Sequence, residues 1–317
     1  MYQLKGVQVG NLLITGGAGF IGSNFVNHRL SKEIMNERIF VIDALTYASN
    51  FSYLVKNDNL TFIKGDIRDK SLVDGVMSQI DSVINFAAES HVDRSISSSE
   101  IFISTNVLGT QVLLESALKF GVKRFVQIST DEVYGSVPDG AAKEDFLLSP
   151  NSPYAASKAA SELISYAYYK TYGLNLMITR SSNNYGPNQH AEKLLPLVIN
   201  AIRRKQNIPV YGNGLNRRDW LHVKDNCIAI ELVLEQGTAG DVYNIGGNNE
   251  LSNLELINKV LEIMGASFKL ITFVEDRKGH DFRYSIDSEK ILHELNFIPQ
   301  VNFTKGLIDT IQWYLKN

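Results

Sequence analysis

Two short segments hold residue types from which a redox and proton-transfer site can be built: Ser129-Thr130-Asp131-Glu132, which closes an apolar run, and Tyr154-Ala155-Ala156-Ser157-Lys158. A tyrosine and a lysine at i and i+4 stand on one helix face, a turn apart. The ammonium there is expected to lower the phenol pKa and make Tyr154 a proton acceptor near neutral pH. The Thr130 hydroxyl can hold a substrate oxygen beside them. Asp131 and Glu132 exceed what simple alcohol oxidation requires, so a second chemical step is expected. Adjacent carboxylates repel, their titrations couple, and an elevated pKa on one suits a proton donor. The sequence leaves open which of the two carries the proton. Taken alone, the Tyr–Lys pair reads as an amphipathic helix with a surface lysine, and the acids as a solvated loop or cap. Their place at the carboxyl end of a strand, where α/β sheets bind ligands, favours a site.

Ser152-Pro153 supplies a cap and a first-turn proline, so a helix is predicted over Tyr154–Tyr172. Upstream, β-rich apolar runs at Leu12–Thr15, Ile39–Asp43, Thr61–Lys64, Ser82–Phe86, Phe125–Ser129 and Asn175–Thr179 alternate with amphipathic stretches such as Ile101–Phe120. Nearly continuous apolar strands separated by helices predict a parallel sheet covered on both faces, the doubly wound α/β architecture. The first run enters Gly16-Gly17-Ala18-Gly19-Phe20-Ile21-Gly22, which contains Gly17-x-Gly19-x-x-Gly22 between a strand and a helix. Such glycines permit a tight turn and let backbone amides approach a pyrophosphate at the helix N-terminus. Asp43 ends the next strand, where a carboxylate bonds the adenosine ribose and repels a 2′-phosphate; NAD rather than NADP is therefore expected. A structural turn followed by a strand-end aspartate is the bland alternative. Asp66 follows the third run and either faces an adenine or caps the helix beginning near Asp69. Phe86-Ala87-Ala88-Glu89-Ser90 leaves the fourth with small residues that allow close cofactor approach.

From about Tyr185 the chain turns to shorter elements separated by glycine and asparagine. The expected division is a Rossmann-type NAD-binding domain with the catalytic residues over 1–184 and a smaller C-terminal α/β substrate-binding lobe over 185–317. A segment near 242–247 is expected to return to the main sheet. The 317 residues carry a net charge of −3, with 44% hydrophobic and 21% charged residues. That balance argues against nucleic acid or an anionic membrane as partner. No uninterrupted apolar run approaches bilayer-spanning length, and Met1 to Gly10 lacks the features of a signal peptide, so a cytoplasmic location is expected. The single cysteine, Cys227, reads as a small core residue. His91 and His280 belong to no cluster with ligand spacing, so no metal is expected.

Several segments, in order, resemble the dTDP-glucose 4,6-dehydratase family of the extended short-chain dehydrogenases/reductases. They are Ala87–Ser95, Ser129-Thr-Asp-Glu-Val-Tyr-Gly135, Arg180-Ser-Ser-Asn-Asn-Tyr-Gly-Pro187, the Tyr211–Leu221 stretch with Arg218, and Asp276-Arg-Lys-Gly-His280-Asp. The resemblance implies C4 oxidation of a nucleotide-sugar, loss of water across C5 and C6, and hydride return to C6. Tyr154, with Lys158 and Thr130, would take the C4 hydroxyl proton; Glu132 would serve as the C5 base and Asp131 as the acid for the C6 hydroxyl. It implies that NAD is held by Gly16, Gly19, Phe20, Ile21 and Gly22, and by Asp43, Ala44, Leu45 and Thr46. Asp66, Ile67, Phe86, Ala87, Ala88 and Ser90 would add to that site, with Thr105, Tyr154, Lys158 and Asn184. For the nucleotide-sugar, dTDP-glucose foremost, it implies Ser90, Thr130, Asn183, Lys193, Leu194 and Pro209, together with Tyr211, Arg218, Asn253, Asp276, Arg277 and His280. It also implies a homodimer joined through Ile101–Phe120 and Tyr154–Tyr172. Lys278 stands where proline is usual in the family, Phe282 where a basic residue is frequent, and the stretch from Tyr47 to Leu60 is short. The rival readings are a dehydratase or epimerase for another nucleotide-sugar, such as a UDP-sugar, and a non-catalytic NAD-binding regulator. An epimerase would not need Asp131 and Glu132, and a regulator would need none of the reactive groups.

Overall fold

The computed structural model of the chain describes residues 9–317. Residues 1–8, on which most of the signal-peptide expectation falls, lie outside the described residues. Strands β1 (Leu12–Thr15), β2 (Ile39–Asp43), β3 (Leu60–Lys64), β4 (Ser82–Asn85), β5 (Arg124–Thr130) and β6 (Leu176–Ser181) alternate with helices. Beyond them come β7 (Asn183–Tyr185), β8 (Ile208–Tyr211), β9 (Arg217–His222), β10 (Val242–Ile245), β11 (Glu250–Ser252) and β12 (Ile271–Val274). The main sheet has seven parallel strands in the order β10-β6-β5-β4-β1-β2-β3. The expected doubly wound α/β fold is therefore present. All residues of β1, β2, β4, β5 and β6 are buried, while β3 at the edge is half-open. That is why the inner strands read as unbroken apolar runs rather than alternating ones. The chain runs outward from β1 through β2 to β3, then crosses back to β4 on the other side of β1. A crevice opens at such a reversal, at the carboxyl ends of the strands.

Two apolar layers sandwich the sheet. One joins Phe25, Val26 and Leu30 of the Phe20–Leu30 helix to Cys227, Ile230, Val233 and Leu234 of the Val223–Gln236 helix. Cys227 is thus the core residue its neighbours suggested, and burial pushes its thiol pKa up. The same two helices are pinned by Arg29, whose guanidinium bonds Glu37 at 2.7 Å and Glu231 at 2.6 Å. The other layer packs Val73 and Met77 with Leu113, Leu114 and Ala117. A separate core of Val198, Ile199, Trp220, Ile257, Val260 and Leu307 supports the β7, β9 and β11 sheet and the β8–β12 pair.

The helical stretch Glu100–Phe120 differs from expectation in two ways. It has the length and apolar composition a membrane crossing needs, although no such segment was expected. Its inner face is core, however, because Phe102, Leu113, Leu114 and Ala117 are buried against the domain. Its first half, Ile103–Gly109, is also π-helical rather than α-helical. The wider turn lets the buried Asn106 bond the Glu89 backbone from both ends of its amide, at 2.8 and 3.0 Å, and Ser157 at 2.8 Å. Insertions of this kind are frequent at functional sites.

Candidate active site

The glycine loop is built by close approach. Gly16 adopts φ +68°, and a Cβ there would sit 2.6 Å from the Ala87 nitrogen. A Cβ on Gly22 would lie 2.2 Å from the Gly16 carbonyl oxygen. Only glycine lets this turn fold flat against β4 and start the Phe20–Leu30 helix. That helix begins at Gly19 with no side-chain cap and no acid in its first turn, so its first amides are left for an anion. Asp43 turns its carboxylate back onto the loop, accepting from Ala18 N at 2.9 Å and from Leu45 N at 2.8 Å. Leu45 holds the unusual φ of +53° that this requires.

A cavity of about 350 Å³ opens beside this loop at the crevice. Its walls include Gly16, Gly19, Phe20, Ile21, Gly22, Asp43, Ala44 and Thr46, and also Asp66, Ile67, Phe86, Ala87, Ala88, Ser90 and Thr105. Thr130, Asp131, Glu132, Tyr154, Lys158, Asn183, Asn184 and Lys193 complete the expected residues on it. Leu45 alone of the expected cofactor residues is not on the wall. The two readings of Asp66 are resolved: Asp69 caps the Lys70–Met77 helix through Leu72 N at 3.1 Å, and Asp66 faces the cavity while bonding Arg68.

Thr130, Tyr154 and Lys158 are placed by two elements. β5 ends at Thr130, whose Oγ1 lies 3.2 Å from Asp131 Oδ1, and a short 3₁₀ turn over Asp131–Tyr134 follows. The Pro153–Tyr172 helix starts as predicted, with Ser152 Oγ accepting from Ala155 N at 3.1 Å and Pro153 in the first turn. Tyr154 and Lys158 are both buried on its inner face, not at the surface. One expectation fails here. The Lys158 ammonium donates to the Ile128 carbonyl of β5 at 2.5 Å, and the Tyr154 phenol is pushed above its ordinary range, not below it. Burial is the main cause, followed by the negative charges of Glu132 and Asp131, while the Thr130 hydroxyl opposes the shift. Burial also brings Lys158 down to about 8.

The carboxylates separate in environment. Asp131 is pushed well above the usual carboxylate range by burial and by Glu132, and its Oδ2 has no hydrogen-bond partner among the described residues. Glu132 is raised by burial too, but Arg277, Lys193 and Arg218 hold it down. Of the cations that face Glu132, only Arg218 acts appreciably on Asp131, which makes Asp131 the better proton donor.

The remaining expected residues lie outside that cavity, on the smaller lobe. Leu194 opens the Leu194–Arg203 helix, and Pro209 and Tyr211 share the exposed face of β8. Tyr211 stands edge-on to His280, with ring centroids 6.2 Å apart, and His280 bonds Asp276 at 2.6 Å. Asn253 is the first residue of the Asn253–Ile263 helix, its N–H bonded to the Asn216 carbonyl at 2.9 Å. Arg217 and Arg218 open β9. Arg217 pairs with Glu250 at 2.5 Å, whereas Arg218 is buried, donates to the Asp281 carbonyl at 2.9 Å and lies 4.1 Å over the Tyr284 ring. Lys193 reaches across from this side to the Ser90 carbonyl at 2.8 Å. Among the described residues no three His, Cys, Asp or Glu side chains gather into a metal-sized cluster.

Sequence reasoning passed over Tyr47, Glu89 and Tyr284. Tyr47 lines the cavity beneath the Arg94 guanidinium, 3.8 Å from its ring centre. Tyr284 is buried with its hydroxyl between Asp281 and Glu132. An Asp-x-x-Tyr spacing was the only available signal for the last of these.

This crevice geometry agrees with what the chain is similar to. A family model described as GDP-mannose 4,6 dehydratase matches residues 13–310. The dTDP-glucose 4,6-dehydratase of Streptomyces niveus is 50% identical over 96% of this chain and 93% of its own length. The chain belongs to the dTDP-glucose 4,6-dehydratase family. The low-salt glycan biosynthesis protein Agl12 of Haloferax volcanii is 49% identical over 96% of this chain and 98% of that protein. The crystal structure of DesIV, the dTDP-glucose 4,6-dehydratase of Streptomyces venezuelae with NAD and dTDP bound, superposes with a TM-score of 0.95. It is 50% identical and covers 97% of both chains.

Proposed function

We infer that the protein dehydrates dTDP-glucose to dTDP-4-keto-6-deoxyglucose with NAD as its redox cofactor. The observation that carries this is the acid pair Asp131–Glu132 at the end of β5, sharing one cavity with Tyr154, Lys158 and the glycine loop. The uncapped helix start, the loop that a Cβ would fill and the unpartnered Ser129 Oγ in the same wall fit a dinucleotide. When bound, NAD supplies the hydride acceptor for sugar C4 and the hydride donor for C6, so no external reductant is consumed. Asp43 favours NAD over NADP because its buried charge opposes a 2′-phosphate.

The residues divide the proton work. Tyr154 takes the C4 hydroxyl proton in its phenolate form. Burial and the neighbouring carboxylates oppose that form, and the positive charges of the Lys158 ammonium and of bound NAD+ would favour it. Thr130 orients the C4 oxygen. The C4 ketone acidifies the C5 hydrogen, and Glu132 removes it as the C6–O bond breaks. Asp131, which carries the proton, gives it to the leaving hydroxide, and water departs. Glu132 then returns its proton to C5. One net proton passes from Tyr154 back to Asp131 through solvent to close the cycle. On the smaller lobe Arg218, Arg277 and Lys193 offer the positive charge a diphosphate needs. We place the cofactor and catalytic residues on 1–184 and most of the nucleotide-sugar contacts on 185–317.

Purified protein incubated with dTDP-glucose and no added reductant is expected to yield a product lighter by one water, with a C4 ketone and a C6 methyl by NMR. Glu132→Gln should suppress water loss by about 10²–10⁴-fold while NAD content stays unchanged. Turnover of UDP-glucose but not dTDP-glucose would overturn the substrate assignment.

We also propose a homodimer. Ile103, Leu108 and Leu118 on one helix and Leu163, Tyr166 and Tyr172 on the other are exposed apolar side chains on two helices that pack together. An apolar face of that kind marks a protein interface. Light scattering should report twice the chain mass, and Leu108→Glu with Leu163→Glu should halve it. A wild-type monomer at micromolar concentration would refute the pairing.

A further inference from the structure

We propose that Tyr47, Arg94 and Glu192 form a latch over the mouth of the cofactor cavity that sets how fast NAD enters and leaves. This rests on the NAD-dependent function inferred above and assigns a role to residues outside the glycine loop and the catalytic groups. A strap, residues 187–193, runs from β7 to the Leu194–Arg203 helix, with Gln189, His190 and Lys193 on the cavity wall. Both of its ends are fixed. Asn24 donates to the Pro187 carbonyl at 3.0 Å, Asn188 to Ser23 Oγ at 3.1 Å, and Tyr314 to the Gln189 carbonyl at 2.5 Å. At the other end Lys193 donates to the Ser90 carbonyl at 2.8 Å. Between them, residues 190–192 reach the rest of the protein through side chains. Arg94, on the Val92–Ser97 helix, grips Glu192 with Nε at 3.2 Å and Nη2 at 2.5 Å. Its guanidinium also lies 3.8 Å from the ring centre of Tyr47, in the loop after β2. Tyr47 in turn meets His190 edge-on, with ring centroids 5.4 Å apart.

Position relative to the cavity defines what these groups do. Tyr47 and His190 line it, whereas Arg94 and Glu192 are exposed and stand behind them, off the wall. Arg94 and Glu192 therefore bear on passage in and out, not on contact with an occupant. Glu89, whose charge faces the Tyr47 phenol, is pinned through its backbone by Asn106 at 2.8 and 3.0 Å. The floor of the latch is thus fixed, and the Arg94 and Glu192 side chains are its movable parts. Its strength suits that use. An exposed ion pair counts only where it is bidentate or networked, and a cation–π contact at the surface adds a similar increment; together they correspond to about fivefold to tenfold in a rate. That slows opening without sealing the cavity. The reaction supplies the reason for slow exchange. Hydride removed from C4 must return to C6 of the same sugar, so the cofactor has to stay through the loss of water. Closing segments commit bound molecules in this way.

The test uses the full-length protein carrying isotopically labelled NAD, chased with excess unlabelled NAD in the absence of any sugar. Label retained after rapid desalting, read by mass spectrometry, gives the exit rate, and equilibrium dialysis against labelled NAD gives the affinity. Arg94→Met keeps an unbranched stem and removes the guanidinium. It is expected to raise the exit rate about fivefold to tenfold while the equilibrium constant stays within about twofold, because a loosened latch speeds entry and exit alike. Glu192→Gln, which keeps the shape and loses the charge, should raise it about twofold to threefold. Arg94→Glu should also speed exit, and adding Glu192→Arg should slow it again by restoring the pair in reverse. A residue that only supports the fold would give no such recovery. Wild-type exit rates in Arg94→Met and Glu192→Gln would overturn the inference, as would a double variant no slower than Arg94→Glu. So would an affinity loss equal to the whole rise in exit rate, which marks a binding contact and not a latch. Because no sugar is present, the dehydratase function can fail while the latch stands. Wild type that retains no labelled NAD would remove the cofactor assignment first and the latch with it.

Discussion

The side of the cleft proposed for the cofactor and the side proposed for the nucleotide-sugar are built on different plans. On the first, short contiguous segments supply nearly everything: the Gly16–Gly22 turn, the end of β2, the Phe86–Ser90 exit and the Thr130–Glu132 head of β5 all meet in one cavity. Each sits at the carboxyl end of a parallel strand, so the sheet itself brings them together. On the second side, Lys193, Tyr211, Arg218, Asn253 and the Asp276–His280 loop come from separate elements of the smaller lobe. They are held by side-chain bridges such as Arg218 to the Asp281 carbonyl and Lys193 to the Ser90 carbonyl. Substitutions on the two sides should therefore fail differently: the first in NAD content and chemical steps, the second in substrate affinity.

Tyr154→Phe carries the largest expected effect in this comparison. It removes the C4 proton acceptor, and kcat should fall by about 10²–10⁴-fold with dTDP-glucose binding retained, as read by calorimetry. The same site predicts a pH limb. Lys158 is charged below its pKa of about 8 and neutral above it, so activity that depends on its ammonium should decline as pH rises through about 8. Activity rising steadily from pH 7 to pH 10 would remove Lys158 from the mechanism.

Gly22→Ala strikes the cofactor side without touching a reactive group. The new methyl meets the Gly16 carbonyl 2.2 Å away, and the obstacle is backbone, which cannot step aside. Purified protein should carry several-fold less NAD by absorbance after denaturation, and its thermal transition without cofactor should fall as well, because the clash strains the folded backbone itself. Full NAD content in this variant would mean that the flat turn does not hold the pyrophosphate.

The difference in plan also explains what was legible in the sequence. The glycine loop, Thr130-Asp131-Glu132 and Tyr154–Lys158 are local patterns whose spacing implies geometry, and the cavity contains them. The Ser152-Pro153 cap located its helix to within a residue. What local spacing could not supply was the environment. The i, i+4 rule puts Lys158 on the face of Tyr154, but it is silent about the Ile128 carbonyl that claims the ammonium. It is equally silent about the two carboxylates, Asp131 buried and Glu132 half-buried, that raise the phenol. The π-helical turn around Asn106 serves contacts with Glu89 and Ser157, which are distant in sequence. Tyr284 meets Glu132 across 152 positions, and only the fold makes that contact.

Arg218→Lys should produce the smallest effect and the one most able to undo the contrast. Arg218 is buried, with one arm on the Asp281 carbonyl and its plane over Tyr284, and burial lowers its pKa. A lysine keeps the charge but loses the planar fork that can hold a backbone carbonyl and a phosphate oxygen together. Loss of one hydrogen bond with the charge kept corresponds to about a twofold to threefold rise in KM, with NAD content and the C4 oxidation rate at saturation unchanged. If kcat for water loss falls instead while KM holds, Arg218 acts through Tyr284 and Glu132, and the substrate side reaches into the chemistry. If NAD content falls, the two sides are one unit, and the division of labour drawn between them does not exist.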